Sequence, residues 1–188
     1  MQRLIATAAA TFALALALAG CATPRAPSRE TPQLRLAPAL LGRALNLQQH
    51  LTLQAPGRDQ QLDVLLEADA RHVQLGVLAM GQVAARLDWD GTTLTESKAP
   101  WWPEAVSGAR ILSDLQLTLW PVPAIQGQLP PGWRVLEDGN VRTLTQDDQV
   151  VTVITRISPL LVELDQRRDH FKLKIESREL GNEAAPAP

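Results

Sequence analysis

Gln82-Val83-Ala84-Ala85-Arg86-Leu87-Asp88-Trp89 decides the fold. Val83, Ala85, Leu87 and Trp89 fall at alternate positions, with Gln82, Arg86 and Asp88 opposite them. A period of two puts successive side chains on opposite faces, which predicts a half-buried antiparallel strand. Asp90-Gly91 then supplies a hairpin turn before Thr92 to Thr95. Upstream, Leu62, Val64 and Leu66 point one way in Leu62–Glu67, and Val73, Leu75 and Val77 do so in His72–Val77. Short turns join these stretches, so they predict a meander.

A different spacing follows. From Ser107 to Trp120 the apolar residues Ala109, Leu112, Leu115 and Leu119, flanked by Ile111, draw a helical stripe. Pro121 and Pro123 end it, and a second short helix from Pro123 to Gln128 can begin on a proline. After the loop Leu129-Pro130-Pro131-Gly132, alternation resumes at Trp133–Leu136, Val141–Leu144, Val150–Thr155, Leu160–Leu164 and Phe171–Glu176. In the last of these Phe171, Leu173 and Ile175 face in, and Lys172, Lys174 and Glu176 face out.

The order is therefore strands, a helical insertion, strands. This predicts a mainly β protein with inserted helices: a single curved antiparallel sheet, an open half-barrel, covered by one or two α-helices. One apolar face of a sheet must be covered, and the insertion is what can cover it. The space between sheet and helix is expected to be an apolar cavity. Its expected lining is Val64, Leu66, Val73, Leu75, Val77, Val83, Leu87 and Trp89 from the first strands. Leu112, Leu115, Leu119 and Trp120 add to it from the insertion, and Leu173 and Ile175 from the last strand.

The amino terminus carries a separate signal. Leu18-Ala19-Gly20-Cys21 reads as a lipobox, preceded by Arg3 and an uncharged stretch from Leu4 to Leu18. That stretch is short for a spanning helix. Cys21 is the single cysteine among 188 residues, so no internal disulfide forms and lipidation of its sulfur explains its place. Residues 1–20 are expected to be a signal peptide, 21–37 a lipidated flexible tether, 38–178 the domain and 179–188 a tail. Two or three acyl chains on one residue hold far better than one, at roughly 0.8 kcal/mol per buried CH₂. Ala22, rather than aspartate, resembles the proteobacterial pattern for sorting to the outer membrane. With a formal charge of −2 and no basic block, nucleic acid is not expected as a partner.

Several residues invite a functional reading. Trp101 and Trp102 are adjacent, so on an extended segment they face opposite sides; either one plugs the cavity and one faces outward, or both cover an edge of the core. Asp114 and Gln116 lie off the apolar stripe and suit either a latch from helix to sheet or a bond to a ligand. Ser107, Ser113 and Ser158 have no nucleophile-elbow context. His50, His72 and His170 are scattered, without carboxylate spacing that suggests a metal. Neither catalysis nor a cofactor is expected.

The half-barrel closed by helices resembles the LolA and LolB lipoprotein carriers. More closely, Ile111-Leu112-Ser113-Asp114-Leu115-Gln116-Leu117-Thr118-Leu119-Trp120-Pro121 resembles the hallmark segment of the bacterial lipoproteins grouped as domain of unknown function 3261 (DUF3261). Pro131-Gly132-Trp133 and the Arg142 segment also fit, and the likeness runs from about His50 to Ser177. Some members are similar to proteins encoded among aryl-polyene lipid biosynthesis genes, which implies a lipid connection. In LolB-like receptors a loop leucine just before a glycine helps insert cargo into the membrane. Val77-Leu78-Ala79-Met80-Gly81 occupies the similar place here, which implies a membrane-facing loop at Leu78 and Met80. The expected protein is an outer-membrane lipoprotein facing the periplasm, anchored through Cys21, that binds a lipid or acylated molecule. The alternative is a structural or assembly lipoprotein that docks other envelope proteins and has no ligand cavity. A lipid-tailoring enzyme is a third option.

Overall fold

The computed structural model describes residues 30–104 and 106–181. Cys21, the signal segment, most of the expected tether and the tail from residue 182 lie outside them. The strands are β1 (Leu45–Ala55), β2 (Arg58–Ala68), β3 (Val73–Ala79), β4 (Gln82–Trp89), β5 (Leu94–Lys98), β6 (Trp133–Asp138), β7 (Val141–Gln146), β8 (Gln149–Ser158), β9 (Leu161–Gln166) and β10 (Phe171–Glu179). Helices α1 (Gly108–Leu119) and α2 (Val122–Gln126) stand between β5 and β6.

All ten strands form one antiparallel sheet in the order β5-β4-β3-β2-β1-β10-β9-β8-β7-β6. It is two meanders joined where β1 meets β10, with Leu51 opposite Ile175 and Leu53 opposite Leu173. The sheet is not closed into a barrel: β5 and β6, its two edges, flank the helical insertion in sequence. The chain must therefore travel from one edge of the sheet to the other through α1 and α2, which is why the helices cross its face.

β1 is the strand that the alternation did not announce. Leu45, Leu47, Leu51 and Leu53 share a face, but Gln49 interrupts them. Gln49 is buried there and its Nε2 donates to Ser177 Oγ at 3.0 Å, so the polar break in the pattern is satisfied across the β1–β10 seam.

The expected tether also ends earlier than residue 37. The compact unit begins at Pro32, and residues 32–37 form an extended strap over α1 with Leu34 and Leu36 buried. Proline-rich composition suggested flexibility, but side chains hold the strap's backbone. Ser113 Oγ accepts from Leu34 N (3.0 Å), and Gln116 both accepts from Leu36 N and donates to Leu36 O (2.9 Å each). Gln128 does the same for Arg35, accepting from its N–H at 3.0 Å and donating to its C=O at 3.2 Å. Trp89 Nε1 adds a second bond to Leu36 O (2.8 Å), and Trp120 Nε1 one to Ala37 O (3.2 Å). The glutamine amides thus stand in for the neighbouring strand that this segment lacks.

Gln116 is fully buried. Replacing it with leucine keeps the volume but orphans the Leu36 N–H, a loss of about 1–3 kcal/mol. Urea denaturation of Gln116→Leu checks this; an unchanged midpoint would show that the strap contributes nothing to stability.

Candidate functional site

Helix α1 starts at Ser107, whose side chain accepts from Arg110 N, and Gly108 N donates to Glu96 Oε2 at 2.7 Å. A Cβ at Gly108 would press on the ends of the Glu96 and Leu87 side chains (2.7 Å to Leu87 Cδ2), so glycine lets the helix begin this close to β4 and β5 without displacing them. Every residue of α1 is buried or half-buried.

Burying a helix end leaves its last carbonyls without partners. Here Arg142, 3 % exposed, supplies them: Nη1 donates to Leu117 O (2.6 Å), Trp120 O (2.8 Å) and Thr118 O (3.3 Å). Arg156 Nη2 adds a bond to Thr118 O at 3.0 Å. Two cations at the negative end of the helix also complement its dipole. Glu137 Oε2 ties both guanidiniums together, at 2.7 Å from Arg142 Nε and 2.9 Å from Arg156 Nη1.

A second polar cluster fixes the first turns. Arg110 Nε bonds Asp114 Oδ2 (2.9 Å) and its Nη2 bonds Asp169 Oδ2 (2.9 Å) in the β9–β10 turn. Fully buried Gln166, its amide oriented to satisfy both ends, donates to Val151 O (2.7 Å) and accepts from Thr152 Oγ1 (3.0 Å) and Arg110 Nη2 (2.8 Å). Burial pushes the Asp114 carboxyl above its ordinary value, against the pull of Arg110. Asp114 and Gln116 are thus latches, the first within α1 and the second to the strap.

These contacts orient the helix. Gly108 meets β4 and β5, Arg110 meets the β9–β10 turn, and Ser113 and Gln116 hold the strap. At about 3.6 residues per turn, the remaining line, Ile111-Leu115-Leu119, faces the middle of the sheet. There Leu62, Leu51, Ile175 and Val162 stand side by side on β2, β1, β10 and β9. All seven residues are half-buried rather than buried. Of these, Ile111, Leu115, Leu119, Leu51, Leu62 and Val162 pack against the buried core.

The expected cavity lining divides accordingly. Val64, Leu66, Val73, Leu75, Val77, Leu87, Trp89, Leu112 and Trp120 are core residues packed against one another. Leu115, Leu119, Leu173 and Ile175 belong to the half-buried region. Val83 is 46 % exposed and does not line the interior. A register shift pairs Val77 with Ala85 but Leu78 with Val83, so one extra β4 residue enters the ladder and turns Val83 outward while Ala84 and Ala85 are both buried. The expected lining left out Leu51, Leu62 and Val162; Leu62 already stood on one face with Val64 and Leu66, and the leucine alternation of β1 was the available signal for Leu51.

The turns β1–β2, β3–β4, β7–β8 and β9–β10 share one end of the sheet. At that end the β1–β2 and β9–β10 hairpins frame an open groove of about 620 Å³, reaching Phe171 and Gln166 on the inner face and Gln54, Asp165 and Lys172 at the rim. Met80, at the tip of the β3–β4 turn, is 91 % exposed and has φ +51°. That left-handed conformation is uncommon for a side chain of this size. Leu78, beside it, is half-buried. Of the two tryptophans, Trp102 is buried with Nε1 donating to Val106 O (2.9 Å), and Trp101 is 45 % exposed.

His50 on β1 pairs with Asp63 on β2, and His72, just before β3, pairs with Asp88 on β4. Among the described residues, no three His, Cys, Asp or Glu side chains converge as metal ligands, and no helix is long and apolar enough to cross a membrane.

Glu137 gives the helix anchor a pH signature. Burial pushes its carboxyl up, but hydrogen bonds from Arg156 and Arg142 outweigh this and hold it below its ordinary value. A carboxylate depressed in the folded state stabilises at neutral pH, and the contribution fades as pH falls through about 4 and below. The wild type should therefore exceed Glu137→Gln in stability at pH 7, and the gap should narrow on acidification. Thermal unfolding of both across pH 3–7 checks this; a gap independent of pH would remove the carboxylate from the anchor.

No curated protein matches the chain. A family model described as "Protein of unknown function (DUF3261)" matches residues 46–179, from the start of β1 to the end of β10, and so takes in the whole sheet and both helices. The chain belongs to the DUF3261 family.

Proposed function

We propose that this protein is an outer-membrane lipoprotein, anchored through Cys21 with its domain facing the periplasm, that binds an acyl chain without catalysing a reaction. The observation that carries the reading is the pair of facing, half-buried rows: Ile111, Leu115 and Leu119 on α1, and Leu62, Leu51, Ile175 and Val162 on the sheet. A chain inserted between them removes apolar surface from water on both sides, at roughly 25 cal/mol per Å². The polar clusters at either end of α1 hold the helix in place while a chain enters between the rows. Met80 supports transfer to a membrane: it is a flexible thioether held almost fully exposed at the turn end. Its strained backbone is the kind of outlier that accompanies function.

A second reading rests on the solid packing of the remaining interior. Nine of the expected lining residues, Val64, Leu66, Val73, Leu75, Val77, Leu87, Trp89, Leu112 and Trp120, are core. A filled hollow suits a scaffold that docks other envelope proteins.

Leu115→Trp separates the two. In the acyl-binding reading the larger ring fills the space, the protein folds with undiminished stability, and uptake of a fluorescent fatty acid is lost. In the scaffold reading the ring overpacks a closed core, costs about 1–3 kcal/mol, and there is no uptake to lose in the wild type.

The anchor has its own check. Cys21→Ala should move the protein from the membrane to the soluble fraction after cell lysis. Retention of the variant in washed outer membranes would refute lipid anchoring at this residue.

A further inference from the structure

We infer that the end of the sheet carrying Trp101 and the β3–β4 turn lies on the bilayer that holds the acyl chains of Cys21, with the Trp101 indole at headgroup level. The inference rests on anchoring through Cys21 and adds to it the surface that meets the lipid. The direction in which the strap enters the domain carries it. Pro32 O accepts from Ser113 Oγ at 3.3 Å, Leu34 N donates to the same oxygen, and Leu36 N donates to Gln116. Ala37 O then accepts from Trp120 Nε1. The strap therefore runs from the middle of α1 to its end, and upstream of Pro32 the chain heads for the start of the helix. Arg110, one helical turn before Ser113, grips Asp169 in the β9–β10 turn. That turn shares its end of the sheet with the β3–β4 turn. Trp101 stands there too: Ala99 N donates to Ala84 O and Trp102 N to Ala99 O (2.9 Å each), which sets this turn beside the first residues of β4. The bond from Gly108 N to Glu96 brings β5 to the start of α1 as well.

Exposed apolar side chains stand at both ends of the sheet, so exposure alone does not choose between them. Met80 and Trp101 mark this end, and Ile157 and Leu160 mark the other. Tether length decides. About eleven residues separate Cys21 from Pro32, and a relaxed chain of that length reaches roughly 18 Å. β1 is 11 residues long, about 36 Å at the rise of a strand, so the sheet is about twice as tall as that reach. The end toward which the strap leads is thus the one held near the lipid. A short flexible link also keeps a domain at about millimolar effective concentration over its target, so a weak contact is enough. Tryptophan favours the headgroup level, and the exposed thioether of Met80 suits the same apolar boundary. Lys98, three residues before Trp101, is paired with Glu96 at 3.2 Å. The contact is therefore apolar rather than electrostatic, and it suits a zwitterionic leaflet.

The test uses the lipidated protein, purified from membranes and reconstituted in phosphatidylethanolamine–phosphatidylcholine vesicles that carry a spin-labelled lipid. Cys21 is the single cysteine and its sulfur is acylated, so a cysteine introduced at Gln82→Cys or at Leu160→Cys takes a fluorophore alone. Both positions are exposed, one at each end of the sheet, so labelling spares the fold. The dye at position 82 should lose most of its emission to the spin label, and the dye at position 160 should lose none. Trp101→Ser, also at an exposed position, should lower the ratio of bound to free domain about tenfold, read as recovered emission at position 82. Quenching at position 160 in place of 82, or equally at both, overturns the orientation. Quenching at neither means a domain that stands off the bilayer, and it overturns the inference while the anchor stands. Quenching at position 82 that survives Trp101→Ser overturns the part given to the indole. A protein that does not float with the vesicles overturns the anchor and the inference together.

Discussion

A helix laid inside a curved sheet has nowhere to expose its final carbonyls, and Arg142 solves that problem for this fold. One buried guanidinium reaches three carbonyl oxygens at the end of α1, and Glu137 holds it and Arg156 in place. Removing a single partner from such a cluster leaves the others buried and uncompensated, which is costlier than the net worth of any one bond. Arg142 comes from β7, Glu137 from the edge strand β6 and the carbonyls from the end of α1, so the cluster fixes the helix against the outer part of the second meander.

The other end of α1 is fixed by different chemistry. Arg110, Asp114, Asp169 and Gln166 tie its first turns to the β9–β10 turn, and Glu96 takes the Gly108 N–H. Between the two ends the strap is bound over the helix by Ser113, Gln116 and Gln128. The helix is therefore held by polar contacts at its ends and outer side as well as by Leu112 and Leu117 in the core. Its remaining line, Ile111, Leu115 and Leu119, packs against the core while staying half-buried. In most small domains the apolar face of a helix is its main attachment. Here Leu112 and Leu117 are buried, and Ile111, Leu115 and Leu119 stay half-buried.

The same division runs through the sheet. β2, β3 and β4 bury Val64, Leu66, Val73, Leu75, Leu87 and Trp89 at near-zero exposure and form a solid core. At the β1–β10 seam, where the two meanders join, the inward residues Leu51, Leu53, Leu173 and Ile175 are only half-buried. The second meander buries Trp133, Val135, Leu144, Val151, Ile154 and Leu164 as well, so both meanders carry the core and the seam between them is its less buried part.

Alternation of apolar and polar residues, with one helical stripe between two sets of strands, determined by itself that this is an antiparallel sheet with a helical insertion. Those patterns are local, and a period of two or of 3.6 survives in any surroundings. That Asp114 and Gln116 need partners was legible too, but not which ones: the expected latch from helix to sheet is a bond within α1 for Asp114 and to the strap for Gln116. What only the tertiary structure decided depends on residues far apart. Gln49 hid β1 because its partner, Ser177, lies at the other end of the chain. Residues 32–37 read as tether because their hydrogen bonds come from glutamines about eighty to ninety positions away. Val83 read as inward because a single extra residue in a ladder leaves no mark on periodicity. Which leucines close the core and which line an open seam was settled by where α1 is anchored, and that position is set by Arg142, whose role no spacing in the sequence reveals.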